Sequence, residues 1–325
     1  MTISLPNPVI ANDWFVGSSP VMQELRIQIA RAAPTWLPVL IEGPTGSGKE
    51  LVARALHSGS GRTGPLVPVN VCAIAETLFE DTMFGHVRGA FSDAIADRVG
   101  LLGEADHGTL FFDEISGLTL GAQSKLLRAI ETGVFRQVGA RADRSSGFRL
   151  VSATNISLDE AVRAGSFRSD LRYRLCGAMI RVPALSEHAE DIPALARHFA
   201  REARVAGTKK LSDGALSILE SQRWPGNVRQ LRSIVECAVA FSEGPTVGRD
   251  DVLRVLVQDR SPILSDAEDV ERRRLSDILC AFDWDTKRTA EYFGVHRASI
   301  YRRMQQFGID ARQRRRYTAE DPGGA

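Results

Sequence analysis

Along residues 19–33, SPVMQELRIQIARAA, apolar positions recur every three to four residues. This predicts an amphipathic helix with Ser19 as its cap and Pro20 in its first turn. The pattern then changes. LPVLIEG is a short apolar run ending in glycine, as a buried strand reads, and PLVPVN (65–70), GTLFFDE (108–114) and FRLVSATN (148–155) repeat the type. GAMIRVP (177–183) is a weaker fifth strand. Helical periods fall between the strands, in LGAQSKLLRAIETG and LDEAVRAG, and this alternation predicts an α/β subdomain with a parallel sheet covered on both faces. From about residue 189 no further strands are expected. EDIPALARHFAREARV, SDGALSILESQ and GNVRQLRSIVECAVAF read as successive helices of a small lid domain. A polar stretch with Gly and Pro, around 243–268, reads as a linker, and helical patterning resumes at 269.

Composition narrows this picture little. A chain of 325 residues, 43% apolar and 25% charged, has room for two to three ordinary globular domains. Net charge is only +1, but between 287 and 316 nine Lys or Arg stand against Glu291 and Asp310, a local balance of +7. Basic charge concentrated there suits a nucleic-acid-binding module. Cys72, Cys176, Cys237 and Cys280 form no CxxC pair, which argues against zinc and a disulfide framework and for small buried residues of a reducing cytosol. The N-terminus lacks a basic, then apolar, signal pattern, and no run of about 18 apolar residues is present. The expected location is the cytoplasm.

GPTGSGKE follows the first strand and opens a helix, so Gly43, Pro44, Thr45, Gly46, Ser47, Gly48, Lys49 and Glu50 form a candidate phosphate-binding loop. Glycines let backbone N–H groups turn onto phosphates, and Lys49 reaches the β- and γ-phosphates. Glu50 stands where a Ser or Thr usually ligates magnesium. GTLFFDE ends in Asp113 and Glu114 at the carboxyl end of a strand, where open α/β sheets bind ligands. Asp113 can hold Mg²⁺ through its waters, and Glu114 can orient and deprotonate a water, although such a pair could also cap the next helix. Together the motifs predict nucleoside triphosphate hydrolysis without separating ATP from GTP. FGHVRGAFSDA (84–94) has neither helical nor strand period, and could be a loop pinned by Phe91 or an arm presenting it to a partner. WDTKRTAEYFGVHRASIYRRMQQFGI reads as two helices with a tight turn at Gly294. Ile300 and Met304 share one face, which leaves Lys287, Arg288, His296, Arg297, Ser299, Arg302 and Arg303 for a DNA groove or its phosphates.

These residues resemble the AAA+ activators of sigma-54 RNA polymerase, the bacterial enhancer-binding proteins, from FVGSSPVMQEL to MQQFGI. In that family the phosphate loop ends in Glu, GTLFFDEI is the Walker B strand, and SATN is sensor I, which implies that Asn155 lies near the γ-phosphate. GSFRSDLRYRL is similar to the arginine-finger segment, implying that Arg168 and Arg174 act on a neighbour's ATP in a hexameric ring. WPGNVRQLRSIVE matches sensor II and implies a nucleotide contact for Arg229. VNVCAIAETLFED resembles the stretch whose Asn, here Asn70, restrains the catalytic Glu. Alone, these residues would read as a salt-bridged surface arginine, a turn Asn, and an Arg229 that caps helix carbonyls or pairs with Glu236. The family's sigma-54 loop is Gly-Ala-Phe-Thr-Gly-Ala. Gly89, Ala90 and Phe91 are kept and Ser92 retains a hydroxyl, while Asp93 adds charge and restricts positive φ. The terminal helices look like a Fis-type helix-turn-helix.

The resemblance implies an α/β AAA+ P-loop ATPase with a helical lid and a terminal helix-turn-helix, using ATP and Mg²⁺. Its implied partners are upstream double-stranded DNA, sigma-54 holoenzyme and further copies of itself, as a dimer when dilute. The alternative is a DNA-binding AAA+ regulator that has lost sigma-54 contact and acts on another polymerase form. The expected divisions are a short extension (1–13), the α/β subdomain (14–183), the lid (184–243), the linker (244–268), the helix-turn-helix (269–311) and a basic tail (312–325). With about 13 residues before Trp14, no receiver or ligand-sensing domain is expected. The layout resembles the phage-shock and type III secretion activators, which are controlled by a partner in trans or by expression level.

Overall fold

The computed structural model describes residues 15–203 and 209–258, and in the C-terminal part 275, 278–279, 282, 284–293, 295–306 and 309. The extension 1–13, Cys280, the turn at Gly294, the tail 312–325 and the part of the expected linker from 259 to 268 lie outside them. The chain divides into two units, with the boundary between residues 259 and 260.

In the first unit, helix α1 (Pro20–Ala32) precedes β1 (Val39–Glu42), and α2 (Lys49–Ser58) leads to β2 (Leu66–Asn70). After α3 (Phe79–Phe84) and α4 (Leu101–Glu104) come β3 (Thr109–Asp113) and α5 (Leu120–Thr132). A short hairpin of β4 (Val134–Phe135) and β5 (Arg144–Ser145) is followed by β6 (Arg149–Thr154), α6 (Leu158–Arg163), α7 (Ser169–Leu175) and β7 (Ala178–Arg181). The main sheet has the order β2-β3-β6-β1-β7, and its pairings are parallel. All five expected strands are therefore present. β3 is buried from Thr109 to Phe112 because helices cover both faces of the sheet, and its apolar run is continuous for that reason. Its alternation still sorts side chains, Phe111 to one core and Leu110 and Phe112 to the other.

Ser19 does not cap α1 with its side chain. Its hydroxyl instead donates to Asp191 at 2.6 Å, and Pro20, with φ preset for a helix, occupies the first turn. The far end of α1 is held by buried Arg149, which donates to the carbonyls of Ala32 and Ala33. Burial lowers the pKa of this guanidinium to about 10.

The lid comprises α8 (Ile192–Glu202), β8 (Lys210–Leu211), α9 (Asp213–Ser221), α10 (Asn227–Phe241), β9 (Thr246–Val247) and α11 (Arg249–Gln258). Leu231, Ile234, Val235, Ala238 and Val239 line one face of α10, and each large side chain so buried contributes about 1.5–3 kcal/mol. Two expectations are corrected here. The two-residue strands β8 and β9 pair in parallel, so the lid is not purely helical. Residues 246–258 are not linker, because Val247, Val252 and Val255 enter the lid core. The Gly–Pro cluster at 244–245 marks only the turn into that last strand and helix. The cysteine expectation also fails where it can be checked: Cys72 is exposed, and Cys176 and Cys237 are half-buried.

In the second unit, α12 (Thr286–Phe293) and α13 (Arg297–Gln306) pack through Ala290, Ile300 and Met304 onto Leu275 and Leu279. Asp285 starts α12 by accepting from the Lys287 and Arg288 amides.

Candidate nucleotide cleft and partner loop

The phosphate loop turns between β1 and α2. Gly46 and Gly48 have φ values of +77° and +103°, which side chains with a Cβ rarely adopt. At Gly46 a Cβ would also stand 2.3 Å from the Gly226 carbonyl oxygen, so the loop lies directly against the lid. Lys49 is buried, donates from Nζ to the Gly43 carbonyl at 2.9 Å, and lies 3.5 Å from a Glu114 carboxylate oxygen. Asn155 donates to the Thr45 hydroxyl at 3.2 Å, so the end of β6 is brought onto the same loop.

Asp113 and Glu114 face this loop across a shared cleft. Burial, then the neighbouring Glu114 charge, raises the Asp113 carboxyl above its ordinary range, and Lys49 opposes the rise. A pair of carboxylates crowded in this way is suited to a divalent cation. Glu114 takes a left-handed conformation, φ 55° and ψ 47°, a strain that persists where surrounding structure imposes it. Its side chain does not cap the following turn, so the capping alternative is excluded for it. Asn70 sits opposite Asp113 in the β2–β3 register, but its side chain accepts from the Cys72 amide at 3.0 Å. In this structure Asn70 thus holds Cys72, while Glu114 pairs with Lys49.

From the lid, Arg229 lines the cleft, and its amide donates to the Gly46 carbonyl at 3.1 Å. Glu236 is paired with Arg232 rather than Arg229. Glu50 forms an ion pair with Arg54 one turn along α2, and both line the cleft. Two further residues were not anticipated. Asn227, buried and left-handed at φ 51°, donates to the Thr45 carbonyl and accepts from the Leu185 amide. Only its position after Pro225-Gly226, where Asn tolerates left-handed backbone, hinted at this role. Asp191, also buried, accepts from the Ser18 amide (2.8 Å), the Ser19 amide (3.2 Å) and the Ser19 hydroxyl (2.6 Å). It clasps residues 18–19 to the lid. Burial pushes its carboxyl up, but these hydrogen bonds and nearby His188 outweigh that and hold it below 3.8.

Arg168 and Arg174 lie on and beside α7 and do not line the cleft. Arg168 forms a two-point pair with Asp170 and donates to Ser124. Arg174 donates to the Ile130 and Glu131 carbonyls at the end of α5.

The GAFSDA segment lies between α3 and α4. Gly85, His86 and Val87 are hydrogen-bonded through their backbones to Arg98 and Val138, joining the loop base to the β4–β5 turn. Phe91 is 44% exposed, with its ring edge-on to His86 at 4.9 Å, so the aromatic is both seated and presented. Gly89 has φ +81°. Among the described non-glycine residues only His107, Glu114, Asn227 and Trp284 have positive φ, so Asp93 carries no such strain. Ser92 and Ala90 complete the loop tip, where the Ala94 amide donates to the Phe91 carbonyl.

In the second unit Lys287, Arg288, His296 and Arg302 are exposed, while Ser299 and Arg303 are half-buried. Arg297 is exposed as well, and its guanidinium donates to the Thr286 and Tyr301 hydroxyls, which ties α13 to α12.

Residues 15–181 match the Sigma-54 interaction domain, 186–268 the AAA+ ATPase lid domain, and 267–307 the Fis family of bacterial regulatory proteins. The chain is 39% identical to the response regulator protein PilR of Pseudomonas aeruginosa, over 91% of this chain and 70% of that one. It is 39% identical to the transcriptional regulator NtrC of Azospirillum brasilense over 87% of its own length, and spans 58% of that relative. The crystal structure of Brucella abortus NtrX in complex with ATP superposes with a TM-score of 0.68 at 34% identity, covering 91% of this chain and 69% of that one. With a phosphate loop, an Asp–Glu strand end, a lid contact and a presented Phe91 in one unit, the chain carries an AAA+ ATPase domain and belongs to the family of sigma-54-dependent transcriptional activators.

Proposed function

We propose that the protein binds DNA upstream of promoters through α12 and α13 and uses ATP hydrolysis in a ring, a hexamer, to remodel sigma-54 holoenzyme for open-complex formation. The observation that carries this is the convergence of Lys49, Asp113, Glu114, Asn155 and Arg229 on one loop, in the same unit as a loop presenting Phe91. Lys49 and the loop amides hold the β- and γ-phosphates. Glu114 orients the attacking water and takes its proton, and Asn155 positions that water against the γ-phosphate. Asp113 would hold Mg²⁺ through water, and the ion would supply positive charge against that developing on the phosphate oxygens. Arg168 and Arg174 act on the ATP of a neighbouring subunit, which agrees with their place outside their own cleft. Asn70 restrains Glu114 until sigma-54 is engaged, a step that requires it to leave Cys72. The Gly89-Ala90-Phe91-Ser92 tip then contacts sigma-54.

The test is open-complex formation by purified sigma-54 polymerase on a promoter with upstream sites. The wild-type protein should give open complexes that require ATP hydrolysis. Glu114→Gln should bind ATP yet lower hydrolysis by about 10²–10⁴-fold. Because Asp93 needs no positive φ, Asp93→Gly should change activation by about twofold or less. Hydrolysis with no sigma-54 association, even with a transition-state analogue, would leave an ATPase but refute the activator.

A further inference from the structure

The loop between α3 and α4 carries more apolar surface than Phe91 alone. Ile95 and Val99 are exposed too, four and eight residues further on, in a stretch otherwise made of polar and small residues. Single exposed aliphatic side chains need no explanation, but three within nine residues of one loop call for one. Two have a packing role on this chain. The Phe91 ring sits edge-on to His86, and Val99 lies against α4, where a Cβ on Gly103 would come within 2.5 Å of its Cγ1. Ile95 differs. At 81% it is the most exposed large apolar residue among those described, so it buries almost nothing on its own chain. Its exposure is not that of a loose end. The Gly89 amide donates to the Ala94 carbonyl at 2.8 Å, the Ala94 amide to Phe91 at 3.0 Å and the Ile95 amide to Asp93 at 2.9 Å. Ala94 is buried, so its side chain faces inward and Ile95 follows outward. Below the tip, His86 and Arg98 exchange backbone hydrogen bonds, and Asp81 accepts from the His86 imidazole on one oxygen and the Arg98 guanidinium on the other.

A bonded backbone of this kind holds Ile95 in water without any gain to the fold. A partner that covers it with apolar surface gains about 10–100-fold in affinity, and the ordered loop keeps the entropy cost of contact low. We propose that Ile95 is a second anchor of this loop, covered by an apolar surface of sigma-54 when Phe91 is engaged. Continuity identifies the occupant. Ile95 shares one hydrogen-bonded tip with Gly89, Ala90, Phe91 and Ser92, and the tip lies within residues 15–181, which match the Sigma-54 interaction domain. The inference rests on the proposed sigma-54 contact and extends it beyond Ser92 to a residue outside that segment.

Association of the full chain with purified sigma-54 would be measured by native gel in ADP and aluminium fluoride. ATP hydrolysis without sigma-54 would be followed beside it over a range of protein concentrations. Wild type should associate. Ile95→Ser should weaken association by about 10–50-fold, and Ile95→Leu, which keeps the apolar area, by about threefold or less. Hydrolysis by both variants should stay within about twofold of wild type at every concentration, because Ile95 lies outside the cleft. If wild type does not associate, the activator reading fails and this proposal with it. If wild type and Ile95→Ser associate equally well, the activator reading stands and the Ile95 anchor alone is overturned. Equal losses in Ile95→Ser and Ile95→Leu would overturn an apolar contact. If Ile95→Ser instead shifts hydrolysis to higher protein concentration, a second copy of the chain covers Ile95 and the proposal is likewise overturned.

Discussion

At the residue scale, the cleft concentrates features that fold stability alone would not favour. Glu114 holds a left-handed backbone without the side chain that tolerates it best, and Asp113 keeps a carboxylate where burial and a like charge oppose ionisation. The sign of the second effect is testable. A carboxyl raised in the folded state weakens the fold at pH values where it is ionised, and the penalty fades as pH falls through the raised value. Asp113→Asn should therefore raise Tm at pH 7 in metal-free, nucleotide-free protein, by about 1–4 °C, and by less at pH 4. The same variant should lose Mg²⁺-dependent hydrolysis. Thermal unfolding at the two pH values decides it, and a lowered Tm at pH 7 would contradict the electrostatic account. Asp113 and Glu114 were legible from type and position, because an acidic pair ending an apolar strand is uncommon. The Glu114 strain was not, since no local pattern requires it.

At the scale of elements, the active architecture depends on short contacts between segments distant in sequence. Asp191 joins residues 18–19 to the lid, and its folded pKa lies below the unfolded one. Its contribution is therefore complete above the ordinary carboxylate value of 3.8 and is lost as pH falls through the lower folded value. Asp191→Asn should cost about 2–4 kcal/mol at pH 7, and the gap from wild type should narrow towards pH 3 in urea unfolding. A gap independent of pH would remove the clasp's ionic character. The loop that presents Phe91 has a comparable contact. Gly139, at φ +77°, lies where a Cβ would come 2.7 Å from the Ala90 side chain. Gly139→Ala should spare nucleotide binding and hydrolysis but cut open-complex formation several-fold, through a local strain of about 1–2 kcal/mol. If activation in that variant matches wild type, the β4–β5 turn does not support the loop. Neither contact could be read along the chain, because Asp191 resembles any acidic residue before a helix and Gly139 any turn glycine.

At the scale of the whole molecule, Arg168 and Arg174 stand outside the cleft of their own subunit, and the proposed ring would bring them to a neighbour's ATP. Arg168 is exposed and held by Asp170, a contact worth little in water and easily exchanged for phosphate oxygens. Hydrolysis per subunit should rise steeply with protein concentration. Arg168→Ala should bind ATP normally yet lose about 10³-fold or more in rate. Mixing it with Lys49→Ala subunits should restore part of that rate, because one contributes fingers and the other an intact phosphate loop. No recovery, with both variants assembling, would place catalysis within one subunit. Arg174 is a poorer probe, since it also holds the end of α5.

The sequence alone determined the five parallel strands, the alternation of helices and the order of the nucleotide motifs. Periodicity and strand-end chemistry are local properties, recorded within a few residues. It also placed the terminal helix pair, since Ile300 and Met304 mark the buried face that the structure confirms. Tertiary structure decided the rest. It drew residues 246–258 into the lid, because burial of Val247, Val252 and Val255 outweighs the polar, turn-forming composition around them. It turned Ser19 from a cap into a partner of Asp191, gave Arg297 to Thr286 and Tyr301, and gathered His188 with Phe15 and Phe199 at one end of a cleft. Such pairings join residues far apart in the chain, and packing chooses among partners that sequence pattern leaves equivalent.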